Sequence, residues 1–425
     1  MKPATTIPAA GLSHVVDTPA GERWKILVVS LFAWTISNLD QSLFGYAIPD
    51  ILQEFDADLG VIGLILAVSF AIAAILVSVG GWAADRFGRR MTLIVLLASS
   101  GLFVGLQATA SSLVALTIWR ALGFGLSGGL APVTVAYVAE AAPARHRGML
   151  IGALQCGYPL GWFLASLIAG PLLGAHDWRS LFLFGFAVIP LAILIGWKLP
   201  ESRHFEAARR ASSTDRVVYA KMEGVKLLFS PEYRRTSIVC ALMFLAYGSA
   251  YAGCAFYFPT YFTQARGYTS SAAAYLVGLS YGIAAFGYLG AAFFGEYVTT
   301  RRNTTALWCV LGSMALVALL WVPSTAWQDK LLFALTTSFF FGVNGVIATL
   351  VSELYPTRIR TTAYAICGSA PLSIGFAIYP MVVPAAVTAL GWQWALTLAI
   401  TPLLLLTAGL AMLLPNLRSG TEVAD

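Results

Sequence analysis

Twelve long apolar runs separated by short polar joints leave this 425-residue chain few ways to fold. They lie at roughly 26–48, 61–83, 91–110, 113–137, 148–173, 180–199, 236–262, 272–296, 304–322, 330–351, 361–386 and 393–414. Runs of roughly 20 apolar residues are long enough to cross a bilayer core as helices. Charged residues make up only 11% of the chain, against about 25% in a soluble domain. That is too few to cover a water-facing surface, and the mean hydropathy is +0.77. The expected fold is therefore an all-α integral membrane protein with twelve transmembrane helices, its partner the lipid bilayer.

The net charge of +6 could point to nucleic acid, but the positions of the charges argue otherwise. Of the 26 Lys and Arg, 22 fall in the N-terminal tail, the even-numbered loops and the C-terminal tail. Only Arg120, Arg179, Arg266 and Lys330 do not. The first odd-numbered loop carries Asp50, Glu54, Asp56 and Asp58 and no base. By the positive-inside rule both termini are expected in the cytoplasm. The basicity is thus a topology signal, and no nucleic acid is expected as a partner. The first 24 residues are polar, so the first span is expected to act as its own insertion signal. Cys156, Cys240, Cys254, Cys309 and Cys367 all fall inside runs, and are read as small buried hydrophobes rather than disulfide partners or metal ligands.

A second signal is duplication. Glu140-Ala141-Ala142-Pro143-Ala144-Arg145-His146-Arg147 and Glu353-Leu354-Tyr355-Pro356-Thr357-Arg358-Ile359-Arg360 both read E-x-x-P-x-R-x-R, 213 residues apart. Asp177-Trp178-Arg179 likewise matches Gly391-Trp392-Gln393. Gly81 to Arg90 has a weaker echo in Gly295-Glu296 to Arg301-Arg302. The chain reads as two pseudo-symmetric six-helix bundles, 26–199 and 236–414, with a tail at 1–25, a cytoplasmic linker at 200–235 and a tail at 415–425. A membrane protein made of two equivalent halves can work by rocking one against the other around a site at their seam.

These residues resemble the major facilitator superfamily along nearly the whole chain. Gly81-Trp82-Ala83-Ala84-Asp85-Arg86-Phe87-Gly88-Arg89-Arg90 is similar to its loop 2–3 signature, and Arg120 to Gly129 to its fourth-helix signature. Pro200-Glu201-Ser202 and the doubled motif point to the branch of sugar, organic-acid and aromatic-acid proton symporters. Asp40-Gln41-Ser42-Leu43-Phe44-Gly45-Tyr46-Ala47-Ile48-Pro49 resembles the first-helix pattern of aromatic-acid symporters, with Ser37 where that pattern usually has a second Asp.

Asp40 is the only acidic residue well inside a run. A carboxylate at bilayer depth costs roughly 2.5–3.5 kcal/mol on insertion scales. Asp40 and Arg120 each lie eight residues from the outer end of their spans, which puts both about 12 Å deep on one side. A buried pair is therefore open to them, and the resemblance implies proton coupling through it. The alternative is a static salt bridge. For the substrate, Arg120 suits a carboxylate, and Gln41, Gln155, Tyr158, Tyr251, Tyr257, Tyr281 and Asn344 are polar or aromatic residues of candidate cavity-lining spans. For any one tyrosine the competing reading is ordinary packing or a lipid interface. Asn344 stands out because an amide in mid-span needs a partner.

After the second span, Asp85, Arg86, Arg89 and Arg90 follow in a turn that Gly88 permits. The resemblance implies that Asp85 docks near Glu353, Arg358 and Arg360, and that Arg86, Glu140, Arg145 and Arg147 form a charge network, so that these residues with Gly88 and Arg89 gate transport. The competing reading takes the arginines as topology signals alone.

The function expected is secondary active transport: proton-coupled uptake of a small organic anion, a monocarboxylate or aromatic acid, by a monomer in the bacterial inner membrane. The alternatives are a proton symporter for a sugar or other neutral metabolite, disfavoured because span 7 lacks paired glutamines, and a drug exporter, whose Gly-Pro motif is only approximated here. A nutrient sensor with a carrier fold would need a long tail. An enzyme is not expected: His14, His146, His176 and His204 lie in tails or loops without a metal-ligand or nucleophile–base arrangement. No cofactor and no metal are expected.

Overall fold

Helix starts in this chain are fixed by short polar side chains that accept from otherwise unpaired backbone N–H groups. Asp58 accepts from Val61 N at 3.0 Å, Ser112 from Ala115 N at 3.2 Å and Thr269 from Ala272 N at 3.2 Å. Thr300 caps Asn303, and Thr325 forms a capping box with Gln328. The computed structural model describes residues 19–143, 147–175, 177–203, 205–206, 227–323, 325–355 and 359–417.

The spans run in order. The first six are α1 (Ala20–Glu54), α2 (Leu59–Phe87), α3 (Arg89–Gln107), α4 (Leu113–Gly128, continued by Leu130–Ala141), α5 (Arg147–Gln155, continued by Gly157–Ala175) and α6 (Arg179–Trp197). The second six begin with α7 (Arg234–Cys254, followed by the turn Phe258–Gln264), α8 (Ser270–Phe293), α9 (Arg301–Trp321) and α10 (Ala326–Phe340, continued to Glu353). One further apolar helix, Thr362–Met412, turns back on itself at Gly391, where φ is +77°. It is two spans, α11 (360–390) and α12 (392–412), so that among the described residues eleven long apolar helices give the twelve expected crossings. Most of the Arg145 to Arg147 turn and of the 200–235 linker lies outside the described residues.

The outer surface is apolar, with Ile75, Val114, Trp197, Phe286, Met314 and Trp327 all more than half exposed. In a bilayer these side chains meet lipid. All five cysteines are buried.

The two sets of six meet along α2 with α11 and α5 with α8. Small residues bring the backbones together there. A Cβ on Gly278 of α8 would stand 1.8 Å from Ser166 Oγ of α5. At the end of the bundle far from the termini, hydrogen bonds join the two sets. Ser270 Oγ donates to Asp50 Oδ1 at 2.7 Å, and Ser271 Oγ donates to the Gly170 carbonyl at 2.6 Å.

At the terminal end, α2 stops and α3 starts at Gly88, with φ +99° and ψ 157°, a region essentially reserved for glycine. Glu201 lies against this turn, its Oε1 accepting from the N–H groups of Arg89 (2.9 Å) and Arg90 (3.2 Å). A carboxylate at a helix N-terminus is favoured by the free N–H groups and the helix dipole. A Cβ on Gly88 would stand 2.4 Å from Glu201 Oε2. We expect Gly88→Ala to cost about 1–3 kcal/mol from backbone strain, and more as Glu201 is pushed away. Thermal unfolding of the purified protein in detergent should show a midpoint lower by several degrees; an unchanged midpoint would mean that the turn relaxes freely.

Candidate functional site

The polar stretch of α1 is satisfied almost everywhere by its own helix or by its neighbour. Asn38 Nδ2 donates to Trp34 O at 2.7 Å, and Ser42 Oγ to Asn38 O at 2.7 Å. The hydroxyls of Ser37 and Ser127 bond each other at 2.6 Å, and each also reaches the other's carbonyl oxygen. These bonds zip α1 to α4. The exception is Asp40: it is buried, and neither carboxylate oxygen has a hydrogen-bond partner among the described residues.

Arg120 of α4 is equally buried, and its Nε and Nη2 also lack partners. Its guanidinium lies over the rings of Phe44 at 4.4 Å and Phe124 at 4.7 Å, with Phe256 at 5.9 Å. Desolvated cation–π contacts of this kind are worth about 2 kcal/mol each. Phe44 sits one helical turn beyond Asp40, so the aromatic faces draw Arg120 past the carboxylate. The two charges feel each other, but no hydrogen bond or salt bridge joins them. The contact pair open to them by depth is not formed in this conformation. Phe44 and Phe124 belong to the first six spans and Phe256 to the second, so Arg120 lies at the seam.

From Phe256 an aromatic cluster spreads across that seam. Phe256 packs on Phe70 of α2 at 5.8 Å and on Trp162 of α5 at 5.8 Å. Trp162 stacks on Tyr281 of α8, centroids 4.7 Å apart and planes 17° apart, and Tyr281 stacks on Phe341 of α10 at 5.2 Å and 12°. Tyr251 of α7 stacks on Phe376 of α11 at 5.3 Å and meets Tyr158 of α5 at 5.5 Å. Tyr158, Tyr251 and Tyr281, chosen from sequence, are thus brought together. Trp162, Phe256 and Phe376 belong with them and were missed, because a ring in an apolar run gives no sign of which way it faces.

Asn344 sits where α10 gives way to the 3₁₀ turn Phe341–Gly345, a form of break that often marks functional positions. Its amide donates to Tyr247 Oη at 2.8 Å, to Phe341 O at 3.1 Å and to Tyr288 Oη at 3.4 Å. Gln155 is half-buried beside Cys156, where α5 is interrupted, and Gln41 is buried next to Asp40. Tyr257 stands apart: its hydroxyl donates to Pro380 O at 2.7 Å, tying α7 to α11.

At the terminal face, Arg89 Nε and Nη2 both donate to Glu140 Oε1, at 3.2 and 2.9 Å. Ser202 Oγ donates to the other oxygen of Glu140. In the second set of spans Arg301 pairs with Glu353 and with Glu296, each at 2.7 Å. Glu140 and Glu353 are equivalent positions of the doubled motif, so both halves tie an arginine that opens a helix to the glutamate that closes the next. The partner of Glu140 is thus Arg89. Arg86, expected in this network, is exposed and lies over Trp82 and Phe87 at 5.7 and 5.8 Å. Arg145 and Arg358 lie outside the described residues, as do the side chains of Asp85, Arg147 and Arg360.

Comparison with known proteins gives one consistent result. A family profile described as "Major Facilitator Superfamily" matches residues 30–370. A cis,cis-muconate transport protein of Acinetobacter baylyi is 31% identical over 375 residues, covering 83% of this chain and 87% of that protein. A probable 4-methylmuconolactone transporter of Cupriavidus pinatubonensis is 27% identical, covering 80% and 79%. The crystal structure of a D-xylose–proton symporter superposes with a TM-score of 0.74 at 18% identity, over 95% of this chain and all of that one. An inward-facing bacterial homologue of the human lysosomal transporter Spinster gives 0.71 at 15%, over 93% and 96%. The last two establish likeness of fold.

Removing the Asn344 donor isolates its structural part. Asn344→Leu should cost about 1–3 kcal/mol by leaving the buried Tyr288 hydroxyl without its Asn344 partner. Adding Tyr288→Phe should recover part of that loss in a thermal or denaturant melt. Strictly additive losses would show that the two groups do not act together.

Proposed function

Because the chain belongs to the Major Facilitator Superfamily, and is thus a membrane transporter, we propose that it carries a small organic anion inward together with protons. The observation that carries this reading is the state of two buried charges. Asp40 and Arg120 lie near each other at the seam without contact, and both oxygens of one and two nitrogens of the other are unpaired. An uncompensated buried ion costs several kcal/mol. The carboxylate is neutralised by taking up a proton. Arginine keeps its charge in proteins, so the guanidinium is neutralised by an anion. A proton and an organic anion are the two ligands that would neutralise these two buried charges.

The likeness to transporters of muconate and 4-methylmuconolactone supports a carboxylate or a related oxygenated conjugated acid as the cargo. Gln41, Gln155, Tyr158, Tyr251, Tyr281 and Asn344 orient it beside Arg120.

The bodies that move are the halves 26–199 and 236–414, set by the positive-inside pattern with both termini in the cytoplasm of a bacterial inner membrane. With that orientation, the hydrogen bonds Ser270–Asp50 and Ser271–Gly170 join the two halves on the outer side. When the halves tilt, Asp40 exchanges a proton with the outer side and then meets Arg120 in a different geometry. The Arg89–Glu140 and Arg301–Glu353 pairs, with Asp85, Arg86, Gly88, Arg145, Arg147, Arg358 and Arg360, gate the cytoplasmic side. The carrier acts as a monomer.

In proteoliposomes an inward proton gradient should drive accumulation of labelled cis,cis-muconate or 4-hydroxybenzoate. Asp40→Asn should abolish accumulation while sparing exchange of labelled for unlabelled acid in the absence of a gradient. Proton-driven accumulation by Asp40→Asn at the wild-type level would remove Asp40 from the coupling. Gradient-driven uptake of a sugar, with no acid carried, would overturn the anion reading.

A further inference from the structure

Two hydrogen-bond donors in the aromatic cluster have no assigned use. Trp162 Nε1 and Tyr281 Oη are both buried, and neither has a partner among the described residues. The Tyr158 ring lies against both of theirs, at 6.4 Å from Trp162 and 6.1 Å from Tyr281, yet neither donor makes a hydrogen bond among the described residues. A buried donor left unpaired costs about 1–3 kcal/mol, and tryptophan and tyrosine normally find a partner when buried. Here two stand together. Their rings stack nearly parallel at 4.7 Å, so the two polar atoms share one small region of the seam.

The placement of this region carries the argument. Trp162 belongs to α5 in the first six spans, and Tyr281 to α8 in the second. Phe256 packs against both groups, its ring 5.9 Å from the Arg120 guanidinium and 5.8 Å from the Trp162 ring. The site therefore offers two kinds of polar group, a guanidinium and a pair of donors, that share one apolar neighbour.

We propose that Trp162 and Tyr281 are specificity-determining residues that bind a second hydrogen-bond acceptor on the cargo, distal to the carboxylate held by Arg120. This rests on the anion-transport reading above. The acceptor is a phenol, carbonyl or second carboxylate oxygen. Because the indole N–H and the phenol O–H come from different halves, an oxygen bonded to both ties the halves together when the cargo is bound. A site built to pair with a polar group discriminates strongly against the analogue that lacks it, since its own donors are then left bare.

Two probes that differ by one hydroxyl, 4-hydroxybenzoate and benzoate, test this in proteoliposomes. Wild type should carry 4-hydroxybenzoate with a kcat/KM at least tenfold above that for benzoate. Tyr281→Phe keeps the ring and removes the hydroxyl. It should lower kcat/KM for 4-hydroxybenzoate about tenfold, mainly through KM, and lower that for benzoate far less, so that the ratio collapses. Trp162→Phe removes the indole donor and should move the ratio in the same direction, which covers the case of one variant failing to assemble. Transport of both acids with a ratio unchanged in both variants, or an equal fall for both probes, would overturn the assignment while leaving the anion reading intact. Failure of wild type to carry either acid would overturn this assignment, and the anion reading with it if cis,cis-muconate is not carried either.

Discussion

A bilayer core has no water to pair with a loose N–H or C=O, so a chain crossing it must satisfy its backbone within its own helices. That constraint makes interruptions of a helix costly there. In this protein several interruptions fall on the spans that line the seam: between Gly128 and Leu130 in α4, at Cys156 in α5, at Phe341–Gly345 in α10 and at Ala365–Ser369 in α11. Next to them lie Tyr158, Asn344 and part of the aromatic cluster. Irregular backbone at membrane depth is tolerated where protein or a cavity surrounds it, and the α4, α5 and α10 breaks sit in that setting.

The same economy governs polar side chains. Ser37, Asn38 and Ser42 in α1 are each bonded to a carbonyl or to the facing Ser127, and Asn344 has three oxygens around its amide. Among the buried polar atoms without partners, those of Asp40 and Arg120 stand out because they carry charge, and those of Trp162 and Tyr281 because their rings stack across the seam. Packing explains why Arg120 does not simply close on Asp40: Phe44 and Phe124 offer it two ring faces, and so leave the ion short of its counter-charge.

The two ends of the bundle are built on different principles. Far from the termini, small residues and single hydrogen bonds let α5 and α8 approach closely. At the terminal face, charged pairs tie helices within a half: Arg89 to Glu140, and Arg301 to Glu353. The first of these is braced by Ser202, next to the Glu201 carboxylate that caps α3. Such pairs keep each half rigid, which a rocking motion about a central site requires.

Much of this was legible in the residues alone. The length of the apolar runs fixes helices and their number, since hydrocarbon thickness sets the length of a span. The 213-residue repeat marks Glu140 and Glu353 as equivalent. The isolation of Asp40 and Arg120 among apolar neighbours marks them as exceptional. What one dimension could not supply is direction. Arg89 rather than Arg86 meets Glu140 because the glycine turn aims one arginine inward and leaves the other on the surface. Tyr257 resembles Tyr251 in sequence, but its hydroxyl is committed to a carbonyl of α11. Trp162 and Phe256 are ordinary members of apolar runs until α5 and α7 turn their rings toward the seam. Composition and periodicity determine which segments enter the membrane, because that depends on summed transfer energy; which side chains meet there depends on helix rotation and crossing, which only the packed structure decides.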